Sequence, residues 1–465
     1  MPFGTLPIYE EGGKIVSQSI AIARYVAKKV GLTGDNIWED LEIDAMVDTI
    51  NDLRIKLSGI YEEKNEKRRQ ELKTTHLTET IPFYLERLNK IAEKNDGFLV
   101  AGKLTWADFF FTTATDMFQV LLGEDIIRKY PYLMDVRENV LDLPDIKSWI
   151  DSRPTNIVNT DVLNKCDWIL VKYIGVLSKQ RSMVSSVTLT YFDLKGLAEP
   201  IRLLLKYGQI EFEDIRISKE DWPEQKSFTP FGQLPTYKEN DKLAWQSTAI
   251  CRYVAKKVKL TGSNDWEDLE IDAIVDTYRD LNHKIGEYHR ESNSERKQQL
   301  KGPLFSEIIP FYLKRLDNIA EQNNGYLALR RLTWADIYFY ALSERFAEVY
   351  PQILLEYINL LKIRALLVDK LSERSPKVSV NLSKLSHLKA LPLADETFFK
   401  PSHIDGIIAA NLFPILLGCG RITGSAGAPI AIETVFVYTL VGTAPTDAEI
   451  SKQHAFVALE NVIHI

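Results

Sequence analysis

Gln246-Ser247 stands directly before an apolar-periodic stretch, Ser247 to Val258, that reads as a helix. A serine at that boundary caps backbone N–H groups, and those donors together with the helix dipole also suit a carboxylate. Gln18-Ser19 repeats the pair before a nearly identical stretch. Tyr191 lies near the end of the alternating run "TLTYF", where an aromatic, judged by residue type alone, packs one face of a sheet. Leu234-Pro235 and Leu6-Pro7 sit in the matching strings "PFGQLPTY" and "PFGTLPIY" and mark turns with either a cis or a trans bond. Trp222 and Lys226 offer an indole N–H and an ammonium, though singly they read as an interface aromatic and a surface charge. Asp52 and Asp280 stand on long helical stretches, while Thr105 with Asp108 and Thr333 with Asp336 fit capping boxes and so serve folding. Zinc-type Cys/His spacing, a P-loop and a GxSxG elbow are all absent, and His283 and His289 read as surface helix residues. No metal is expected.

The elements that must carry these residues are set by a duplication. Pro2 to Leu53 and Pro230 to Leu281 match at 36 of 52 positions with a constant offset of 228. In the second copy, Val187–Phe192 alternates as a strand and Gly196–Tyr207 has helical spacing. Ile210–Ile217, Leu234–Tyr237 and Lys242–Trp245 read as further strands around a polar "KEND" turn, giving the order β-α-β-β-β-α. After Thr261 each segment carries an amphipathic helical stripe. The first copy begins at the last two strands and keeps the helical set down to "LPDIKSWIDSRP". Its first strand, first helix and second strand have no counterpart.

Composition restricts the rest. A chain of 465 residues, 45% apolar and 26% charged, is long enough for about three globular domains. A formal charge of -7 with no long Lys/Arg run argues against a nucleic-acid surface. Cys166, Cys251 and Cys419 are odd in number and far apart, as in a reducing compartment. The first residues show no charged and apolar leader, and the longest apolar stretch, Ile404 to Gly418, is too short and polar to span a bilayer. A cytoplasmic protein without a membrane segment is expected.

The ordered string "TYFDLKGLAEPIR", "DW", "K", "PFGQLPTY", "QS" and "AICRYVAKK", followed by a helical segment with "LTWADIYF", resembles cytosolic glutathione transferases. The likeness is greatest to the sigma class of insects and to glutathione-dependent prostaglandin D synthases. It covers Val187 to Pro351 and, without its first quarter, Pro2 to Pro154. It implies a thioredoxin-like α/β domain followed by an all-α bundle, with glutathione as co-substrate. Tyr191 then donates its hydroxyl hydrogen bond to the glutathione sulfur and favours the thiolate. Leu234 before a cis Pro235 pairs with the cysteinyl backbone, Gln246 and Ser247 hold the γ-glutamyl carboxylate, and Trp222, Lys226 and Gln233 hold the glycyl end. Asp280, with its mate Asp52, reaches across a dimer interface to the α-amino group. The implied second substrate is a small electrophile or lipid-derived molecule, and the implied assembly is an internal pseudo-dimer or a homodimer.

Departures from the family pattern also matter. Leu197 stands where vertebrate relatives carry arginine, and Gln233 and Thr5 stand where many relatives have lysine. Between the "WAD" helix and "YP" the second copy reads as eight residues shorter than the first, and it lacks the "LPDIKSW" ending. Copy one has no counterpart of Tyr191, Trp222 or Lys226. The expected segments are 1–30 and 31–155 (partial thioredoxin-like and helical parts of copy one), a linker 156–186, 187–259 and 260–371 (the same parts of copy two, the helical one shortened), and 372–465. That last segment resembles, over Leu388 to Gly442, the aspartic-protease region of Bel/Pao retrotransposon polyproteins. No D-T/S-G triplet occurs in the chain, so the tail reads as a non-catalytic remnant. The alternative to an enzyme is a non-catalytic glutathione-fold protein or a fused product without one function.

Overall fold

Val187, Leu189 and Tyr191 alternate inward along β3 (Val187–Phe192), the central strand of a four-stranded sheet. The computed structural model describes residues 6–123, 125–152, 187–350, 353–369, 417–423, 430–434, 437–444 and 453–455. These fall into two compact units, Met1–Arg315 with Leu327–Tyr338, and Leu316–Tyr326 with Phe339–Ile465.

In the first unit, β3 pairs in parallel with β4 (Glu213–Ile217) and antiparallel with β5 (Thr236–Glu239), which pairs with β6 (Lys242–Trp245). Helix α8 (Glu199–Tyr207) follows β3, and α10 (Ser247–Lys257) follows β6 and packs against α8. The expected strand from Ile210 begins only at Glu213, because Ile210 N–H caps α8 by bonding Leu205 O at 2.9 Å. A short helix, α9 (Trp222–Gln225), also interrupts the expected order β-α-β-β-β-α. Pro223 in its first turn favours that start.

Among the described residues the strands of copy one are the hairpin β1 (Ile8–Glu11) and β2 (Lys14–Ser17), the mates of β5 and β6. Its two-residue loop, Gly12-Gly13, has φ of 60° and 77°, the left-handed pair that such a hairpin requires. Among the described residues β1 pairs only with β2. Helices α1 (Ser19–Val30) and α2 (Ile37–Glu62) follow. Then α3 (Glu66–Thr75) runs through a π-helical turn into α4 (Ile81–Lys94), and α5 (Trp106–Leu122), α6 (Pro131–Leu141) and α7 (Pro144–Ser152) complete the bundle. Thr105 and Asp108 form the expected capping box, and Asp108 also accepts Leu99 N–H at 2.8 Å. Burial holds this carboxyl at about 6, above its ordinary range, against those hydrogen bonds.

Helix α11 (Asp265–Arg290) is the mate of α2, and each begins at an asparagine cap, Asn264 and Asn36. The helix pair α1 and α2 packs against α10 and α11 around a closed ring of buried ion pairs. Arg24 bonds Asp44 at 2.7 Å and Asp272 at 3.0 Å; Arg252 bonds Asp272 at 2.9 Å and Asp44 at 3.0 Å. Burial pushes Asp44 up, but the two guanidiniums outweigh it and hold the carboxyl at about 2. Such a ring contributes little net stability, whereas losing one member costs about 3–5 kcal/mol. Mated pairs flank it: Lys28 with Asp268 at 2.6 Å, and Lys256 with Asp40 at 2.8 Å. Phe231, in the loop before β5, is 2% exposed and belongs to the copy-one helical core. It lies 6.0 Å from the Tyr84 ring and 5.6 Å from Trp245.

Helix α12 (Ser294–Pro303) leads into α13 (Ile309–Gln322), and α14 (Trp334–Val349) opens on the Thr333–Asp336 capping box. In the second unit, α15 (Ile358–Asp369) corrects the expected eight-residue shortening. Asp317 accepts from the N–H groups of Asn359 at 2.8 Å and Leu360 at 3.0 Å. Its mate Asn89 accepts from Tyr132 at 3.1 Å and Leu133 at 3.3 Å. Tyr357 therefore occupies the place of Tyr130, and the helical stretch is one residue shorter, not eight. The pair Tyr350-Pro351 merely imitates the true anchor. Strands β7 (Leu417–Ile422), β8 (Ile430–Thr434), β9 (Val437–Ala444) and β10 (Gln453–Ala455) form an antiparallel sheet in the order β10-β9-β8-β7. The expected linker 156–186, the lost "LPDIKSW" ending and most of the retroelement-like stretch lie outside the described residues. No helix among those described is long and apolar enough to cross a membrane.

Candidate functional site

The C-terminal end of β3 delivers Tyr191 to a turn, Gly196–Ala198, that leads into α8. Leu197 N–H donates to the Tyr191 hydroxyl oxygen at 3.2 Å. That approach requires Gly196. Its φ is 48°, and a Cβ built there would lie 2.8 Å from the hydroxyl oxygen and 2.9 Å from the ring. Arg202, 6% exposed, ties the preceding loop down: its Nη1 donates to the carbonyls of Leu194 at 3.2 Å and Lys195 at 3.1 Å. Its Nε donates to both carboxylate oxygens of Asp214 on β4 at 3.1 Å. The guanidinium carbon is 6.0 Å from the centre of the Tyr191 ring. A backbone donor and a buried arginine thus fix the phenol at the strand end.

The other expected positions converge from neighbouring elements. Trp222 on α9 packs edge-on against Phe192, with ring centres 5.3 Å apart. Lys226 passes beside Gly232, where an added Cβ would meet its Cε at 3.0 Å. The Leu234-Pro235 bond is cis, as is Leu6-Pro7 in copy one. Ser247 departs from expectation: it is the first residue of α10, and no side chain caps that helix. Gln246, with φ of 69°, precedes it and sends its amide elsewhere. The same holds for Gln18 before α1. The first-turn N–H groups of both helices therefore lack a side-chain acceptor, which suits them to an anionic group.

The aspartates exchange copies. Gln246 Nε2 donates to Asp52 of copy one at 2.9 Å and to Thr49 at 3.3 Å. Gln18 Nε2 donates to Asp280 of copy two at 3.0 Å and to Thr277 at 3.0 Å. Asp280 therefore stands with the incomplete copy-one set and not with Tyr191, because α2 and α11 cross between the copies. Burial raises both carboxyls, while the glutamine hydrogen bonds pull them down.

Copy one contributes further groups that sequence alone did not single out. Gln233 Nε2 donates to the Tyr84 hydroxyl at 3.4 Å, and Trp245 Nε1 donates to Thr49 at 2.9 Å. Burial, then the neighbouring Asp52, raises the Tyr84 phenol well above its ordinary value. Tyr84 and Thr49 have identical mates, Tyr312 and Thr277, but only the crossing of the copies shows what they face. Gly196 had a signal: a lone glycine between a strand and a helix marks a close approach. Among the described residues no group of His, Cys, Asp and Glu is arranged to hold a metal ion.

Comparison with known proteins accounts for this layout. The model of the glutathione S-transferase C-terminal domain matches residues 51–153 and again 279–375, and that of the N-terminal domain matches 187–256. Glutathione S-transferase S1 of Drosophila melanogaster is 42% identical over 171 residues, 37% of this chain and 69% of that protein. A glutathione S-transferase of Anopheles gambiae is 39% identical over 207 residues, 44% of this chain and 96% of that protein. Human hematopoietic prostaglandin D synthase is 34% identical over 179 residues, 38% of this chain and 87% of that protein. The chain belongs to the glutathione S-transferase family, with one N-terminal and two C-terminal domain matches in a single polypeptide.

Proposed function

We propose that this protein is a sigma-like glutathione transferase with one working site, in copy two, and Tyr191 as its catalytic residue. The observation that carries the proposal is the Tyr191 hydroxyl, fixed at the strand end by Leu197 N–H at 3.2 Å and flanked by a glycine. A phenol held in this way donates its proton to the glutathione sulfur as a hydrogen bond, favouring thiolate at neutral pH. The cysteinyl backbone pairs with Leu234 before the cis Pro235. The γ-glutamyl carboxylate takes the uncapped N–H groups at Ser247 beside Gln246, and Asp52 from copy one receives the α-amino group. Trp222, Lys226 and Gln233 hold the glycyl end, with Gln233 steadied by Tyr84. Asp280 plays no part in this site.

The thiol proton leaves to solvent, the thiolate sulfur attacks the electrophilic carbon, and a C–S bond forms as the leaving group departs or a conjugated double bond accepts the pair. A hydroperoxide is attacked at its terminal oxygen: the S–O bond forms as the O–O bond breaks, the other oxygen leaves as alkoxide and takes a proton, and a second glutathione converts the sulfenic acid to disulfide and water. In a prostaglandin endoperoxide the same attack opens the O–O bond to an alkoxide, and loss of the proton on the carbon bearing the S–O oxygen forms the ketone and expels the thiolate. Relatives named prostaglandin D synthase favour lipid-derived peroxides or unsaturated carbonyls as the substrate class. The copies act as an internal pseudo-dimer in the cytoplasm, and residues 372–465 are a retroelement remnant without a role in the reaction.

Tyr191→Phe tests the proposal. Conjugation of a model aryl halide should fall on the order of 10²-fold in kcat/KM, as when one preorganised donor is lost, while retention on immobilised glutathione persists. Unchanged turnover sinks the assignment, and glutathione binding by the parent chain without turnover makes the protein a non-catalytic binder.

A further inference from the structure

Several contacts between the copies have mates, and at one charged pair the mate is missing. On one side Arg279 of α11 donates to Asp48 of α2 at 2.7 Å, and Asp52 lies one turn further along α2. On the other side Asp276 and Asp280 hold the equivalent i, i+4 positions on α11, but Asn51 stands where the guanidinium should be. Asn51 turns its oxygen to Arg54 Nε at 2.9 Å. Asp276 is 5% exposed, and neither of its carboxylate oxygens has a hydrogen-bond partner. Its nearest cation, Arg279 Nη1 at 3.9 Å, is already committed to Asp48.

Beside this gap lies a cavity of about 480 Å³, lined by Asn51, Asp276 and Asp280 on one side and by Ile55, Phe110 and Met117 on another. That volume suits a small organic molecule. Of the other basic groups that line it, Arg54 bonds the neutral Asn51, His283 lies beside Glu287 at 3.4 Å, and Lys284 stands one turn beyond Asp280 but two turns beyond Asp276, about 12 Å along the axis, so Asp276 is the carboxylate without a counter-charge of its own. A buried carboxylate without a donor, next to an apolar wall, is complementary to a positive head on an apolar body.

We propose that this cavity binds an organic cation, an ammonium or amidinium on an apolar body, with its head at Asp276 and Asp280 and its body against Ile55, Phe110 and Met117. The site borders Asp52 of the Tyr191 set but needs no thiolate. Binding draws Asp276 toward the cavity, because the cation supplies the counter-charge that Arg279 supplies to Asp48 on the mated side.

Calorimetric titration of the full chain with octylamine at neutral pH, with octanol and octanoate as neutral and anionic counterparts, tests the idea. The expected result is octylamine bound at least tenfold tighter than either counterpart. Asn51→Arg, which restores the missing guanidinium, should weaken octylamine at least tenfold, and so should the near-isosteric Asp276→Asn. Either variant decides the matter if the other fails to fold. Octylamine bound no better than octanol, or bound equally by the parent and a folded variant, overturns the proposal.

Discussion

Asp48 and Asp276 are the same residue in the two copies, yet replacing each by asparagine should change stability in opposite directions. Asp48 is buried against Arg279 at 2.7 Å, so Asp48→Asn leaves a guanidinium without its counter-charge at a cost of about 3–5 kcal/mol. Asp276 has no such partner. Burial raises its carboxyl from 3.8 to about 6; Asp272 adds to that, while Arg279, Arg24 and Arg252 oppose it. The folded state thus binds a proton more tightly than the unfolded state. The stability tied to that proton is full below pH 3.8 and is lost as pH rises through about 6. At 1.36 kcal/mol per pKa unit the loss above pH 6 is about 3 kcal/mol, and Asp276→Asn removes it. For a unit of roughly 300 residues, at about 2.1 cal/mol/K of unfolding entropy per residue, the gain corresponds to a melting shift of about 4–5 °C. Melting followed by tryptophan fluorescence at pH 4, 6 and 7.5 should show Asp276→Asn level with the parent at pH 4 and progressively higher above it. Asp48→Asn should melt lower at neutral pH. Shifts of the same sign for both variants, or a pH-independent gap for Asp276→Asn, would refute the reasoning.

Two further outcomes bear on the Tyr191 site. Gly196→Ala places a Cβ 2.8 Å from the Tyr191 hydroxyl at a φ of 48°, so it should cost about 1–2 kcal/mol in backbone strain and displace the phenol. Its kcat/KM for an aryl halide should drop about tenfold with glutathione binding nearly intact, since sub-ångström misplacement acts on the reacting atoms; full activity would contradict the geometry. Asp52→Ala should raise the glutathione KM about tenfold, whereas Asp280→Ala should leave it within about twofold. Measuring both separates the copies, because the reverse order would put the working site in copy one.

Much of this was legible in the sequence because the determinants are local. Alternation in "VTLTYF", the Asn-Asp turn within "KEND", and the Thr-x-x-Asp boxes each act within a few residues, and each forms the element expected. The errors arose where a local string had more than one solution. Ile210 fits a strand by type but completes the C-terminal cap of α8. Ser247 fits an N-cap by type, yet Gln246 adopts the left-handed turn and no side chain caps the helix. "YP" at Tyr350-Pro351 imitates the "YP" before α6, whereas Asp317 assigns the start of α15 to Asn359 and Leu360. What no string could give was the partner of each aspartate, since Asp52 and Asp280 meet their glutamines only after the copies cross.

That crossing gives the first copy a part in the site of the second. Among the described residues copy one forms a two-stranded hairpin, and none of them is the mate of Tyr191. What it keeps is the surface that faces copy two: Arg24 and Asp44 in the buried ring, Thr49 and Asp52 on Gln246, and Tyr84 on Gln233. Phe231 of copy two, three residues before Leu234, is buried in the copy-one core, so the loop that bears Leu234 and Pro235 is held from outside its own domain. Removing copy one would leave Arg252 and Asp272 with half their partners and would release that loop. A covalently tethered half is present at high effective concentration regardless of how dilute the chain is. The second copy then keeps its cross-copy groups without waiting for a second molecule.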